Sequence, residues 1–282
     1  MGRIRQGWAL AGRSWSTLRN DRSLGAFPVL SAAAVLAIAA ALWIPAGLML
    51  HDGVDVLGVI LAAVGLYLAT FAGIFFNVAL AACANRALDG ADTTVGEGLA
   101  AAGERIGPIA AWAGLAASVN IIIRALEERL GIAGVILGSL AGLAWALVTF
   151  LAVPVIALEG LGPFATLKRS ASLFRQRWGE QVMGQFTIGI AVALVGVLPG
   201  VLLGVIGAML VGAGATVIGV ALIVVAVAVV LVASVIGNAL SQIFAGALYR
   251  YAVTGEAAGP FTEAELAGAV VPRRRLGRAR DF

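Results

Sequence analysis

Charge is what this chain of 282 residues has least of. Asp, Glu, Lys and Arg make up 12% of it, about half the share of a soluble domain. Hydrophobic residues reach 61% and the mean hydropathy is +1.01, which places the chain among membrane proteins. Cysteine is nearly absent too: Cys83 alone excludes an internal disulfide and any cysteine-based metal cluster. One histidine, His51, excludes zinc sites built on several His ligands. Lys168 is the single lysine; with the Ala, Gly, Val and Arg bias it suggests a GC-rich bacterial genome. The net charge of +4 is divided among segments beside apolar runs, where orientation and anionic lipid account for it. No extended basic surface is left for a duplex, so no nucleic-acid partner is expected.

The apolar runs are long. About 20 apolar residues cross the hydrocarbon core, and on that basis spans fall at 26–50, 56–83, 107–123, 132–158, 182–211 and 215–248. The Arg-bearing start runs to Arg22 and the run after it is too long for a signal-peptide core, so it is expected to remain as the first span. With the first end inside, seventeen of the nineteen Lys and Arg fall on inner segments. Only Arg124 and Arg129 fall outside. Seven spans would put Arg273, Arg274 and Arg275 outside, against the positive-inside rule. The expectation is a six-span protein of the bacterial plasma membrane with both ends cytoplasmic. Residues 1–22 form a cytoplasmic amphipathic helix, 23–250 the membrane domain and 251–282 a basic tail near anionic headgroups.

Between spans lie basic amphipathic stretches. At 163–179, Phe164, Leu167, Ala171, Phe174 and Trp178 alternate at three- and four-residue spacing, one stripe of a helix. Such a helix lies in the membrane interface, with Phe164, Phe174, Trp178, Arg169 and Arg175 as anchors. Residues 3–20 repeat the stripe, with Trp8 and Trp15 as anchors. Arg13-Ser14-x-Ser16-x-Leu18-Arg19-Asn20 aligns with Arg169-Ser170-x-Ser172-x-Phe174-Arg175-Gln176 without a gap. A weaker copy at 94–106 opens with Thr94-x-x-Glu97, a capping-box pattern. Each copy precedes two spans. The predicted fold is all-α: three units of interfacial helix plus transmembrane hairpin.

Polar groups inside spans are costly and therefore informative. Asn77 and Asn85 share a face of span two; Asn238, Ser241 and Gln242 share one on span six; Glu159 closes span four at the same depth. Two readings stand: an inward-facing polar cavity, or interhelical hydrogen bonds, the commoner use of such groups. Pro199-Gly200 predicts a kink in span five. Gly134-x3-Gly138-x3-Gly142 and Gly196-x3-Gly200-x3-Gly204 are small-residue packing faces. His51, Asp52 and Asp55 read as an ordinary wet loop. No metal-ligand set, His-based triad or Ser–Lys pair within spans can be assembled, so no catalytic, metal or cofactor site is expected.

Pro154-Val-Ile-Ala-Leu-Glu159-Gly160, Leu167-Lys168-Arg169-Ser170 and Arg177-Trp178-Gly179 resemble a group of poorly characterised bacterial six-span proteins. Gly7-Trp8, Ser14-Trp15 and Phe27-Pro28 fit a domain-of-unknown-function family within that group. The group looks distantly related to the membrane domain of glycerophosphoryl diester phosphodiesterases; the soluble phosphodiesterase domain is missing here, so its activity does not carry over. The expected function is a non-enzymatic structural or accessory membrane protein, with membrane lipids and either a membrane protein or a second copy as partners. The alternative is a transporter or lipid-handling protein that uses the inner polar residues.

Overall fold

A computed structural model of the chain describes residues 12–16, 22–51, 53–178, 197–257 and 259–262. All regular structure among these residues is helical. Helix α1 (Arg22–Ile38) passes through a π-helical turn (Ala39–Trp43) into Ile44–Met49. Pro45 has no N–H to return to the carbonyl of Ala41, and its ring crowds that carbonyl. Widening the turn ahead of it relieves both problems. Helix α2 (Val56–Ala87) starts at Asp55, whose carboxylate accepts the Gly58 N–H at 2.9 Å. Asp55 is therefore a helix cap.

Helix α3 (Val95–Glu104) opens with the full capping box between Thr94 and Glu97. Hydrogen bonds from the Thr94 backbone and then its hydroxyl, with the Arg86 charge adding to them, hold Glu97 below the usual carboxylate range. Helix α4 (Ile106–Arg129) and α5 (Gly131–Val148) form a hairpin, stapled by stacked Trp112 and Trp145 with ring centroids 6.0 Å apart. Helix α6 (Ala152–Glu159) continues α5 after a break, α7 (Pro163–Trp178) turns back across it, and α8 (Leu198–Gly212) pairs with α9 (Thr216–Thr254).

Five helical stretches are long and apolar enough to cross a membrane: Ser23–Met49, Val56–Ala87, Ile106–Arg129, Ala133–Glu159 and Thr216–Thr254. Helix α8, 15 residues long, is shorter. The rest of the fifth expected span, up to residue 196, lies outside the described residues, so five spans are seen where six were expected. At 39 residues, α9 is about 58 Å long and outreaches the hydrocarbon core by roughly 28 Å.

Packing is concentrated at one end. The start of α1 (Leu24, Phe27), the end of α2 (Val78 to Leu88), α6 (Val155, Ile156) and the end of α9 (Ile243, Leu248) join in one buried cluster. Helix α2 lies at its centre, touching α1, α3, α4, α6 and α9. Toward the opposite end large apolar side chains are exposed, among them Leu48, Ile122, Leu140, Met209 and Val217. In a bilayer lipid tails cover them, and they gain little by turning inward because the tails are as apolar as leucine.

Candidate functional site

The polar groups gather at the packed end, and a proline begins the arrangement. Pro154 cannot donate to Phe150, four residues back, so the span cannot run on unbroken. The helix stops at Val148 and restarts at Ala152. Thr149 folds its hydroxyl back onto the Trp145 carbonyl at 2.7 Å. Among the backbone groups at the break are the Val148 carbonyl and the Leu151 N–H. Both go to Ser170 of α7: its Oγ donates to Val148 O at 2.6 Å and accepts from Leu151 N at 3.2 Å. Buried backbone groups in an apolar medium need such a partner.

The preceding residue of α7 grips the other end of α6. Arg169 Nε donates to both carboxylate oxygens of Glu159, at 2.8 and 3.2 Å. The Tyr249 hydroxyl of α9 donates to Glu159 Oε1 at 2.7 Å. That carboxylate, through its hydrogen bond first and its charge second, raises the Arg169 pKa, so the guanidinium stays charged. Gly160 ends α6 at φ +65°, a conformation that favours glycine. A Cβ there would lie 3.0 Å from the Arg105 guanidinium. Adjacent residues of α7 thus hold both ends of one eight-residue half-helix.

That grip sets which face of α7 looks inward. Thr166 and Ser170 are fully buried and Leu173 nearly so, while Leu167 and Phe174 flank the core. Phe164 is 76% exposed, and Lys168 and Arg175 are exposed beside it. The residues expected as interface anchors therefore separate: Phe164 and Arg175 face out, Arg169 is bonded to Glu159, and Phe174 is half-buried on the core. Trp15 is 46% exposed. Trp8 and the side chain of Trp178 lie outside the described residues.

The amides divide as well. Asn238 Nδ2 donates to Asn77 Oδ1 at 2.8 Å, joining α9 to α2. Arg250 donates to Asp89 at 2.6 Å and to the backbone carbonyl of Asn85 at 3.3 Å. Asn85 Oδ1 and Gln242 Oε1 are buried and receive no donor among the described residues. Ser241 is half-buried on α9. Pro199 is in the first turn of α8, and Gly200 is buried against Val230 of α9. The expected kink would involve the turn before Val197, outside the described residues.

Helices α3 and α7 are each tied by an ion pair to the helix before them. Arg86, closing α2, is 3.3 Å from Glu97 of α3; Glu159, closing α6, is 2.8 Å from Arg169 of α7. The signs are reversed and the placement is the same. Ser14 and Ser170, which align in the sequence, are both fully buried.

The family of unknown function DUF6159 matches residues 54–259. The chain belongs to that family. The matched stretch runs from the start of α2 past the end of α9, so it contains the broken span, the α7 grip and all six candidate cavity residues. No curated protein and no solved structure matches the chain. The likeness to the phosphodiesterase membrane domain therefore has no support.

Reasoning from sequence missed Tyr249, Ser170 and Asp55. Only Asp55 had a usable signal, an acid one residue before an apolar run.

Removing the Ser170 hydroxyl tests the break directly. Ser170→Ala leaves the Leu151 N–H without its side-chain acceptor, at an expected cost of about 1–3 kcal/mol. Ser170→Thr retains the oxygen and should recover most of that loss if its methyl is accommodated. Unfolding midpoints in mixed micelles give the comparison.

Proposed function

We propose that this is a six-span, non-enzymatic structural or accessory protein of the bacterial plasma membrane, with the packed end and both termini cytoplasmic. The observation that carries the reading is that the polar groups of that end hold helices to one another. Asn77 bonds Asn238, Glu159 bonds Arg169 and Tyr249, and Arg250 bonds Asp89. Side chains engaged in this way are fastenings, and contacts of this kind contribute about 0.6–2 kcal/mol each. The orientation is supported by Arg86, Arg105, Lys168, Arg169, Arg175 and Arg250, all at the packed end, with Arg124 and Arg129 at the other. The matching ties of α3 and α7, and the buried pair Ser14 and Ser170, support a threefold repeat of interfacial helix plus hairpin.

A second reading, lipid handling or transport, is favoured by one observation. Asn85 Oδ1 and Gln242 Oε1 are buried acceptors for which no described residue supplies a donor, a costly state in hydrocarbon. Native mass spectrometry of the chain extracted with its own lipids separates the two. A protein retained at fixed stoichiometry, unchanged by Asn85→Ala and Gln242→Ala, is the expected result. A discrete small molecule or lipid that is lost in those two variants would replace the accessory reading with the second.

A further inference from the structure

The outward face of α7 is fixed by contacts on its other side. Arg169 and Ser170 hold the helix to α6, so it cannot roll about its axis without breaking both. Phe164, Lys168 and Arg175 then fall within ~40° of one another at 100° per residue. All three are exposed. Neither cation has an acidic partner among the described residues, whereas Arg86, Arg169 and Arg250 each have one. Helix α7 itself, PFATLKRSASLFRQRW, contains no acid.

Its position follows from chain length. Only residues 160–162 separate the end of α6 from the start of α7, a reach of at most about 14 Å. The headgroup layer beyond the hydrocarbon is roughly 5–8 Å thick, and exposed charges act over a further ~8 Å at physiological salt. A basic face carrying one aromatic side chain, held at that depth, is complementary to a layer of phosphodiester anions.

We propose that Phe164, Lys168 and Arg175 form a docking surface for anionic phospholipid headgroups at the packed end of the bundle. The proposal rests on the membrane reading above and holds under either functional reading. Helix α7 has two tasks on opposite faces: it closes the broken span and it presents the headgroup surface. The occupant is lipid because the face sits where the span ends, and a single Phe beside two cations suits the boundary between headgroup and acyl chain.

The test is native mass spectrometry of the delipidated full chain in detergent, titrated with phosphatidylglycerol or phosphatidylcholine. The expected result is phosphatidylglycerol adducts at concentrations where phosphatidylcholine gives none. Lys168→Ala with Arg175→Ala should weaken them roughly thirtyfold. Lys168→Arg with Arg175→Lys should retain them, which separates charge from misfolding. Equal binding of both lipids, unchanged phosphatidylglycerol binding in the alanine pair, or retention of inorganic phosphate as strong as that of lipid would each overturn the proposal. These outcomes leave the accessory reading untouched, since that one is decided by Asn85, Gln242 and the co-purifying species.

Discussion

Gly219→Val in α9 is expected to open the α8–α9 hairpin, with a loss of about 3 kcal/mol or more. A Cβ on Gly219 would lie 2.6 Å from the carbonyl oxygen of Gly207 and 2.7 Å from the N of Val211. Both obstacles are backbone, so no rotamer change can relieve them. The approach is mutual: a Cβ on Gly207 would lie 2.7 Å from the Gly219 oxygen. Gly200, Gly204 and Gly207 line one face of α8 and meet Gly219, Ala226 and Val230 of α9. Overpacking a core by a few carbons typically costs about 1–3 kcal/mol, and two helical backbones are harder to move than a side chain. Gly212→Ala, at the end of α8, has open space around the added carbon and should change little. A cysteine pair placed across the seam reads the result: cross-linking should be efficient in the parent and Gly212→Ala backgrounds and fall sharply with Gly219→Val. Equal yields in all three would mean that the glycines do not set the spacing.

Glu159→Ala is the second large effect. It takes the acceptor from two donors on two helices, Arg169 of α7 and Tyr249 of α9. Hydrogen bonds to a charged group contribute about 1.5–3 kcal/mol each. Glu159 and Arg169 are 23% and 37% exposed, so water and lipid headgroups recover part of that loss. The expected net destabilisation is about 2 kcal/mol, discounted for that exposure. Glu159→Gln keeps an oxygen for Tyr249 and loses only the charge, so about half the effect should remain. Arg169→Ala should cost less than Glu159→Ala, because Glu159 keeps the tyrosine. Since the residues act as one unit, the double variant should fall short of the sum of the singles by about 1 kcal/mol. Unfolding midpoints in mixed micelles supply the cycle; strict additivity would show that the carboxylate does not couple the two helices.

Much of this architecture is legible in the residues. Charge-free length sets the apolar helices, because hydrocarbon thickness is a physical ruler and a charge inside it is costly. Thr94-x-x-Glu97 marks the start of α3 because both partners of a capping box are local. The turn at Gly212 to Gly214 is local too, with Gly214 at φ +88°. The link between Asn77 and Asn238 was not named in advance: the residues marked both amides as needing partners and left open whether they would line a cavity or bond between helices.

The inward face of α7 was not legible. Hydrophobic periodicity marks Phe164, Leu167, Ala171 and Phe174 as one stripe and does not say which side meets the bundle; the folded chain buries Thr166, Ser170 and Leu173 there. The reason lies fifteen to twenty residues upstream. Pro154 breaks the span, and the Val148 carbonyl and Leu151 N–H at the break are satisfied by the Ser170 hydroxyl delivered from a neighbouring helix. Periodicity measures a preference for oil over water; beside a bilayer both sides of a helix can be oily, and unmet hydrogen bonds decide its rotation instead. The sequence alone therefore determined that the chain is helical, membrane-spanning and basic beside its spans, because those properties depend on length and composition. Tertiary structure decided which polar side chains are fastenings and which basic ones face outward, because that depends on partners on different helices, 10 to 161 residues apart in the chain, meeting at one end of a bundle.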